Sequence, residues 1–171
     1  MADITIRPAV TEDAARIAAI YAPYVEQTAI SFEYVAPAVA EVARRIDRSL
    51  ARWQWLVAEV DGRIVGYAYG SPHRERPAYR WSVEVSAYVD RAHHQRGIGA
   101  ALYGVLLDDL ARKGFCSAFA GITLPNDASV RLHRRLGFTP IGVFGAIGWK
   151  FDQWHDVAWF QRKLRDRPPA E

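Results

Sequence analysis

The chain has 171 residues, half of them apolar, which is enough for one well-buried domain and short for two. Its single cysteine, Cys116, excludes an internal disulfide and a cysteine-built metal cluster, and makes a reducing, cytoplasmic setting the default expectation. A net charge of +3 raises nucleic acid as a partner, but the basic residues fall in short clusters (44–52, 74–80, 91–96, 131–135) that suit a small anionic ligand at least as well.

The opening MADITIRPAV lacks the basic region and long apolar core of a secretory signal. Nowhere does the sequence approach the roughly 18 uninterrupted apolar residues of a membrane span. ITIRPA (4–9) reads as a first strand ended by Pro8. Thr11 is placed to cap a helix beginning EDAARIAAIYA, with acids in its first turn and Pro23 ending or kinking it. A second helix is expected over about 37–52, with Pro37 near its first turn and Val39, Val42, Ile46 and Leu50 at helical spacing. WQWLVAEV and RIVGYAYG flank Asp61-Gly62, a tight-hairpin signature.

The strand at 81–89 alternates Val83, Val85, Ala87 and Val89 against Ser82, Glu84, Ser86 and Tyr88, and the polar face is expected to stay out of the core. A helix over 98–112 puts Ala101, Leu102, Val105, Leu106 and Leu110 on one side and ends at Gly114. CSAFAGIT is a further strand, and Asn126 or Asp127 caps a short helix ending at Leu136-Gly137. FTPIGVFGAIGWKF and WHDVAWFQRKL form a last pair of strands. The expected order, β-α-α-β-β-β-α-β-α-β-β, is α/β with a mixed sheet. Without repeat or linker, it forms one domain over 1–165 with a loose tail at 166–171.

Three features carry chemistry. Gly97 and Gly99 open the helix that follows the 81–89 strand, and the unpaired N–H groups of a first helical turn, with the helix dipole, favour phosphate. No P-loop lysine follows the glycines, which disfavours phosphoryl transfer. Glu84 lies mid-strand between apolar neighbours, placed either as a general base or as a carboxylate paired with Arg80 or Arg76. His133 shares a helix face with Val130 and Leu136; a histidine so placed is either a packed residue or a proton-handling one.

Taken together, Glu84, AYV (87–89), QRGIGA (95–100), Asn126 and GF (137–138) resemble the GNAT superfamily of acetyl-CoA-dependent N-acetyltransferases. SFEY (31–34), WLVAEVDG (55–62), AYRWSVEVSAYV (78–89), LPNDASVRLHRRLGF (124–138) and GWKFDQWHDVAWFQ (148–161) extend the resemblance over nearly the whole chain, to the phosphinothricin and methionine-sulfoximine acetyltransferases. The resemblance implies a GNAT fold, with a central sheet splayed at its middle strands and about four flanking helices. It implies acetyl-CoA as cosubstrate and no metal. Glu84 would be the base and His133 the second proton-handling group, with Tyr103 and Tyr88 as fallback acids. Ala87, Tyr88 and Val89 would pair with the pantetheine arm as an added strand, and an N–H there would polarise the thioester carbonyl. Gln95, Arg96, Gly97, Ile98, Gly99 and Ala100 would hold the pyrophosphate, and Asn126 the pantetheine or simply the helix cap. Phe32, Arg74, Arg76 and Tyr79 would contact the acceptor. One residue departs from the pattern: His94 stands where Arg or Gln is usual.

The function implied is acetyl transfer, by direct attack, to the amine of a small anionic amino-acid analogue of the phosphinothricin or methionine sulfoximine kind. Acetylation of a protein N-terminus or a polyamine is the alternative within the fold, although the net basic loop at 74–80 suits a polyamine poorly. A non-catalytic acyl-CoA-binding module is the rival from another class; nucleic-acid binding rests on charge alone. No membrane partner is expected. A homodimer is expected through the aromatic last strands, where Trp149, Trp154, Trp159 and Phe160 exceed what one small domain readily buries.

Overall fold

A computed structural model describes residues 3–170. The elements run β1 (Ile4–Pro8), α1 (Ala14–Gln27), α2 (Val39–Leu50), β2 (Gln54–Val60), β3 (Arg63–Pro72), β4 (Ser82–Val89), α3 (Ile98–Arg112), β5 (Ser117–Thr123), α4 (Asp127–Arg135), β6 (Thr139–Lys150) and β7 (Gln153–Lys163). The strands form one open sheet in the order β1-β2-β3-β4-β5-β7-β6. Every neighbouring pair is antiparallel except β4–β5, whose parallel pairing needs the crossover that α3 supplies. The α/β fold with a mixed, mainly antiparallel sheet and four helices is the one expected.

Period-2 alternation on the central strands builds two cores, one on each face of the sheet. In β2, Leu56, Ala58 and Val60 face α3 and pack with Leu102, Leu106, Leu107 and Leu110. Trp55 and Val57 face the other way, against Ile17, Ile20 and Val25 of α1 and Val42 and Ile46 of α2. The β2–β3 turn has the expected positive φ at both Asp61 (51°) and Gly62 (72°).

Four local expectations are corrected. Asp13, rather than Thr11, secures the start of α1: a 3₁₀ turn covers Thr11–Asp13, and the Asp13 carboxylate accepts from Val10 N–H at 2.9 Å and from Arg7 at 2.7 and 3.0 Å. Pro23 does not end α1, which continues to Gln27 with buried Tyr21, Tyr24 and Val25 packed on both sides of it. In α3 the buried face is Ile98, Leu102, Tyr103, Leu106, Leu107 and Leu110, and Val105 is exposed. The polar face of β4 also enters a core at Tyr88, whose ring packs on Tyr21 (4.8 Å), Tyr24 (5.1 Å) and Tyr67 (5.4 Å), because α1 covers that end of the strand.

Candidate active site

Pairing between β4 and β5 stops early. Ser82, Val83 and Glu84 match Ser117, Ala118 and Phe119, and no further residues pair. β4 remains bonded to β3 as far as Val89, while β5 follows β7. The two strands therefore fork immediately after Glu84. The fork opens a cleft of about 900 Å³, walled by Val85–Val89 on one side, by Ala120–Thr123 on the other, and by the first turns of α3 and the length of α4. In the unpaired part of β4, backbone groups that would have met β5 face this cleft.

At one end of the cleft the chain forms an anion cradle. Gln95 (φ 62°) and Gly97 (φ 79°) are both left-handed, and they turn the loop so that its backbone runs into α3. The first helical bond is Ala101 N–H to Gly97 C=O at 3.0 Å, so the N–H groups of Ile98, Gly99 and Ala100 have no intrahelical acceptor. Gln95, Gly97, Ile98, Gly99 and Ala100 line the cleft; Arg96 is exposed and lies outside its wall. His94 has a structural use: its Nε2 lies 3.0 Å from Val89 O and 2.8 Å from the Tyr24 hydroxyl, tying the cradle loop to the end of β4 and to α1.

Along the other wall, Asn126 Oδ1 accepts Ser129 N–H at 3.2 Å, so the residue does cap α4, while also facing the cleft. His133 is 4% exposed and lines the cleft. Its Nδ1 lies 2.8 Å from Ser129 O; a carbonyl only accepts, so Nδ1 carries the proton. Nε2 is then an acceptor, and the Tyr103 hydroxyl donates to it at 3.2 Å. Burial holds the His133 pKa below its ordinary value and pushes that of Tyr103 up. The pair is therefore neutral near pH 7. Arg131, Arg134 and Arg135, noted in the sequence only as a basic cluster, also border this cleft.

Glu84 sits at the fork itself. Its carboxylate is paired with neither Arg80 nor Arg76 but with His73, Oε1 to Nδ1 at 3.0 Å. Desolvation raises the Glu84 pKa, against the downward pull of the His73 bond and of the Arg74 charge. His73 stacks on Phe119 with ring centroids 4.4 Å apart and forms part of a second, smaller cleft of about 390 Å³. That cleft also gathers Arg74, Arg76 and Tyr79, together with Arg52 and Arg80. His73 was missed in the sequence because it lies in the loop after β3. Only the β3–β4 register, Ser71 opposite Glu84 and Pro72 opposite Val83, brings it beside the carboxylate.

Phe32 is not among the residues of either cleft. Its ring lies so close over Gly148 that a Cβ there would come within 2.2 Å, and it faces His155 at 6.2 Å. The segment carrying it is held to the β6–β7 hairpin by Lys150, 2% exposed, whose ammonium donates to Val25 O (2.6 Å), Thr28 O (2.9 Å) and Ser31 O (2.7 Å). Among the described residues, no group of three or more His, Cys, Asp or Glu side chains is gathered as a metal site requires, and no helix is long and apolar enough to cross a membrane.

A parallel pair that forks beside a glycine cradle, with a half-buried carboxylate at the fork, is the architecture of an acyl-group transferase. Residues 6–159 match the acetyltransferase (GNAT) domain, and the chain belongs to that family. It is 42% identical over 159 residues to a phosphinothricin N-acetyltransferase of Streptomyces viridochromogenes, covering 93% of this chain and 87% of that protein. It is 36% identical over 162 residues to an L-methionine sulfoximine/L-methionine sulfone acetyltransferase of Salmonella typhimurium, covering 94% and 95% of the two chains. The crystal structure of a Sinorhizobium meliloti phosphinothricin acetyltransferase with acetyl-CoA matches with a TM-score of 0.93 at 35% identity, over 97% of this chain and 93% of that one.

Proposed function

We propose that this acetyltransferase moves the acetyl group of acetyl-CoA to the amine of a small anionic amino-acid analogue of the phosphinothricin or methionine sulfoximine type. The observation that carries the reading is the position of Glu84. It is the last paired residue before the larger cleft, and its bonded partner His73 belongs to the arginine-lined cleft. The carboxylate thus stands where a thioester from one side and an amine from the other would meet.

Acetyl-CoA lies in the larger cleft, its pantetheine along Ala87, Tyr88 and Val89 and its pyrophosphate on the N–H groups of 95–100, with Asn126 on the opposite wall. Arg74, Arg76 and Tyr79 hold the acceptor's anionic groups, for which guanidinium geometry is suited. Glu84 removes a proton from the ammonium, and the freed amine attacks the thioester carbon. The C–N bond forms, the C–S bond breaks, and sulfur leaves with the electron pair. The Tyr103 hydroxyl, which at rest donates its one proton to neutral His133 Nε2, turns to donate it to that sulfur as negative charge develops there. Full proton transfer from a tyrosine raised above its ordinary value to a thiolate near the ordinary ~8.5 is uphill, so the stabilisation is by hydrogen bonding.

The test is thiol release from acetyl-CoA with a panel of acceptors. Phosphinothricin, methionine sulfoximine and methionine sulfone should each accelerate release, and Glu84→Gln should lower turnover at pH 7 by about 10²–10⁴-fold. The deficit should shrink as pH approaches the amine pKa, where the acceptor is already neutral. Release only with a peptide N-terminus or a polyamine would overturn the acceptor assignment; no amine-dependent release would leave a binding module.

A homodimer through β6 and β7 belongs to the same proposal. Ile141, Val143, Phe144, Ile147, Trp149, Phe151 and Trp154 are all exposed there, a run of apolar side chains that calls for a cover. Phe160 and Trp159 are not part of it: Phe160 is buried within the chain and Trp159 half-buried. Sedimentation at micromolar concentration should give twice the chain mass, and Trp154→Glu should give the monomer.

A further inference from the structure

The carboxylate at the fork is held by a single hydrogen bond. Glu84 Oε1 lies 3.0 Å from His73 Nδ1, and Oε2 has no hydrogen-bond partner among the described residues. An ionised carboxylate only accepts, so Nδ1 carries the proton and donates it. The Glu84 side chain is 30% exposed and that of His73 only 14%, so the donor is the more enclosed of the two. Its ring is held on three sides: stacked on Phe119 (4.4 Å, 15°), edge-on to Tyr79 (5.8 Å) and edge-on to Trp159 (6.3 Å). Aromatic packing on this scale fixes the ring plane. Packing alone needs no nitrogen, and phenylalanine would serve it as well; the donor is what histidine adds.

We infer that His73 is the positioning residue for Glu84, holding Oε1 and leaving Oε2 to take the proton of the acceptor's ammonium. This rests on the reading of Glu84 as the base. A glutamate side chain turns about three bonds, and at a partly exposed site it has water to turn towards. Fixing one oxygen removes that freedom before the acceptor arrives. His73 acts through Glu84 and touches no reacting atom.

The same bond sets the pH range in which the base works. Desolvation disfavours the ionised carboxylate, and a donor to it favours that form. At Glu84 desolvation is the larger effect and raises the pKa, while the His73 bond, any charge on the His73 ring and the Arg74 charge on the same loop pull it down. From β3 the neutral phenol of Tyr69 is in electrostatic reach of the carboxylate, and from β5 the uncharged Phe119 lies opposite it. Removing the His73 donor leaves desolvation opposed by Arg74 alone. The Glu84 pKa then rises, and the base is lost at a higher pH than in the wild type. The sign holds for the neutral and the protonated ring, since either form donates from Nδ1.

Two variants separate the donor from the ring. His73→Phe keeps the stack and loses the donor; His73→Asn loses the ring and keeps an amide N–H close to the place of Nδ1. With methionine sulfoximine as acceptor, kcat/KM is followed from about pH 5 to 9 at saturating acetyl-CoA. Expected for His73→Phe are an acid limb moved up by about one pH unit, a plateau about tenfold lower and an unchanged KM for acetyl-CoA. His73→Asn should bring the acid limb back towards its wild-type position and recover part of the plateau. The double variant Glu84→Gln/His73→Phe should be no slower than Glu84→Gln alone, as for groups acting in one unit.

A wild-type profile for His73→Phe with a crippled Glu84→Gln would overturn the positioning role and spare the base. Wild-type turnover in Glu84→Gln would remove both. Unmoved acid limbs in both His73 variants, with His73→Asn the slower, would make the ring a packing element only. A loss in His73→Phe as deep as that in Glu84→Gln at every pH would also overturn the proposal, by making the imidazole itself the base. Should His73→Asn fail to fold, a carbon-13 NMR titration of the Glu84 carboxyl in the wild type and His73→Phe carries the test, and an unmoved midpoint sinks the idea.

Discussion

The Tyr103 hydroxyl and His133 Nε2 share a hydrogen bond of 3.2 Å that links α3 to α4 across the wall of the larger cleft. Its direction is fixed from behind, because His133 Nδ1 spends its proton on Ser129 O. Tyr103→Phe therefore removes the hydroxyl and leaves Nε2 without its donor, while His133→Asn removes the acceptor and frees the hydroxyl to turn. We expect either change to lower kcat by about 10–100-fold, the range of one lost oriented donor, with a smaller effect on KM for acetyl-CoA. Steady-state kinetics at saturating acceptor would show it. Unchanged kcat in both variants would leave the pair a packing contact.

The cradle depends on backbone shape. A Cβ at Gly97 meets nothing within 4 Å, so only its φ of 79° opposes a side chain. Gly97→Ala should cost about 1 kcal/mol of stability and raise KM for acetyl-CoA several-fold as the loop relaxes, with kcat at saturation retained. Titration of the variant with acetyl-CoA by calorimetry separates the two effects.

Lys150 joins the hairpin of β6 and β7 to the segment that follows α1. Lys150→Met keeps the stem but leaves three carbonyl groups without their buried donor, a loss of about 2–4 kcal/mol. Thermal unfolding should register it.

At the start of α1, the hydrogen bond from Arg7 keeps the Asp13 pKa below its ordinary value, with Val10 N–H assisting and burial opposing. A carboxylate depressed in the folded state stabilises the protein above its unfolded pKa of about 3.9, and the contribution is lost as pH falls through the folded value. The acid limb of stability should therefore drop below about pH 4, and Asp13→Asn should flatten it while lowering stability at pH 7 by about 1–3 kcal/mol. Denaturant midpoints from pH 2 to 7 measure both.

Much of the site could be read along the chain because its parts are local. The cradle at 95–100 is one loop and one helical turn, and Asn126 and His133 lie on one short helix, so spacing alone groups them. Alternation placed Glu84 on a face, and the DG turn fixed the neighbouring hairpin. The misses came where packing overrode periodicity: Val105 fits the helical pattern yet faces solvent, and Tyr88 lies on a polar face yet joins a core because α1 lies over it.

Sequence by itself determined the elements, their order, the glycine cradle and the family to which the chain belongs. These follow from local torsional preference and from residue spacing, which the chain carries without reference to its distant parts. Only the tertiary structure decided where β4 and β5 separate, that Glu84 is the last residue before they do, and that its partner is His73 and not an arginine. Strand register and loop closure bring together residues eleven positions apart by way of a turn whose path no local preference specifies, and the reading of Glu84 and His73 depends on that juxtaposition.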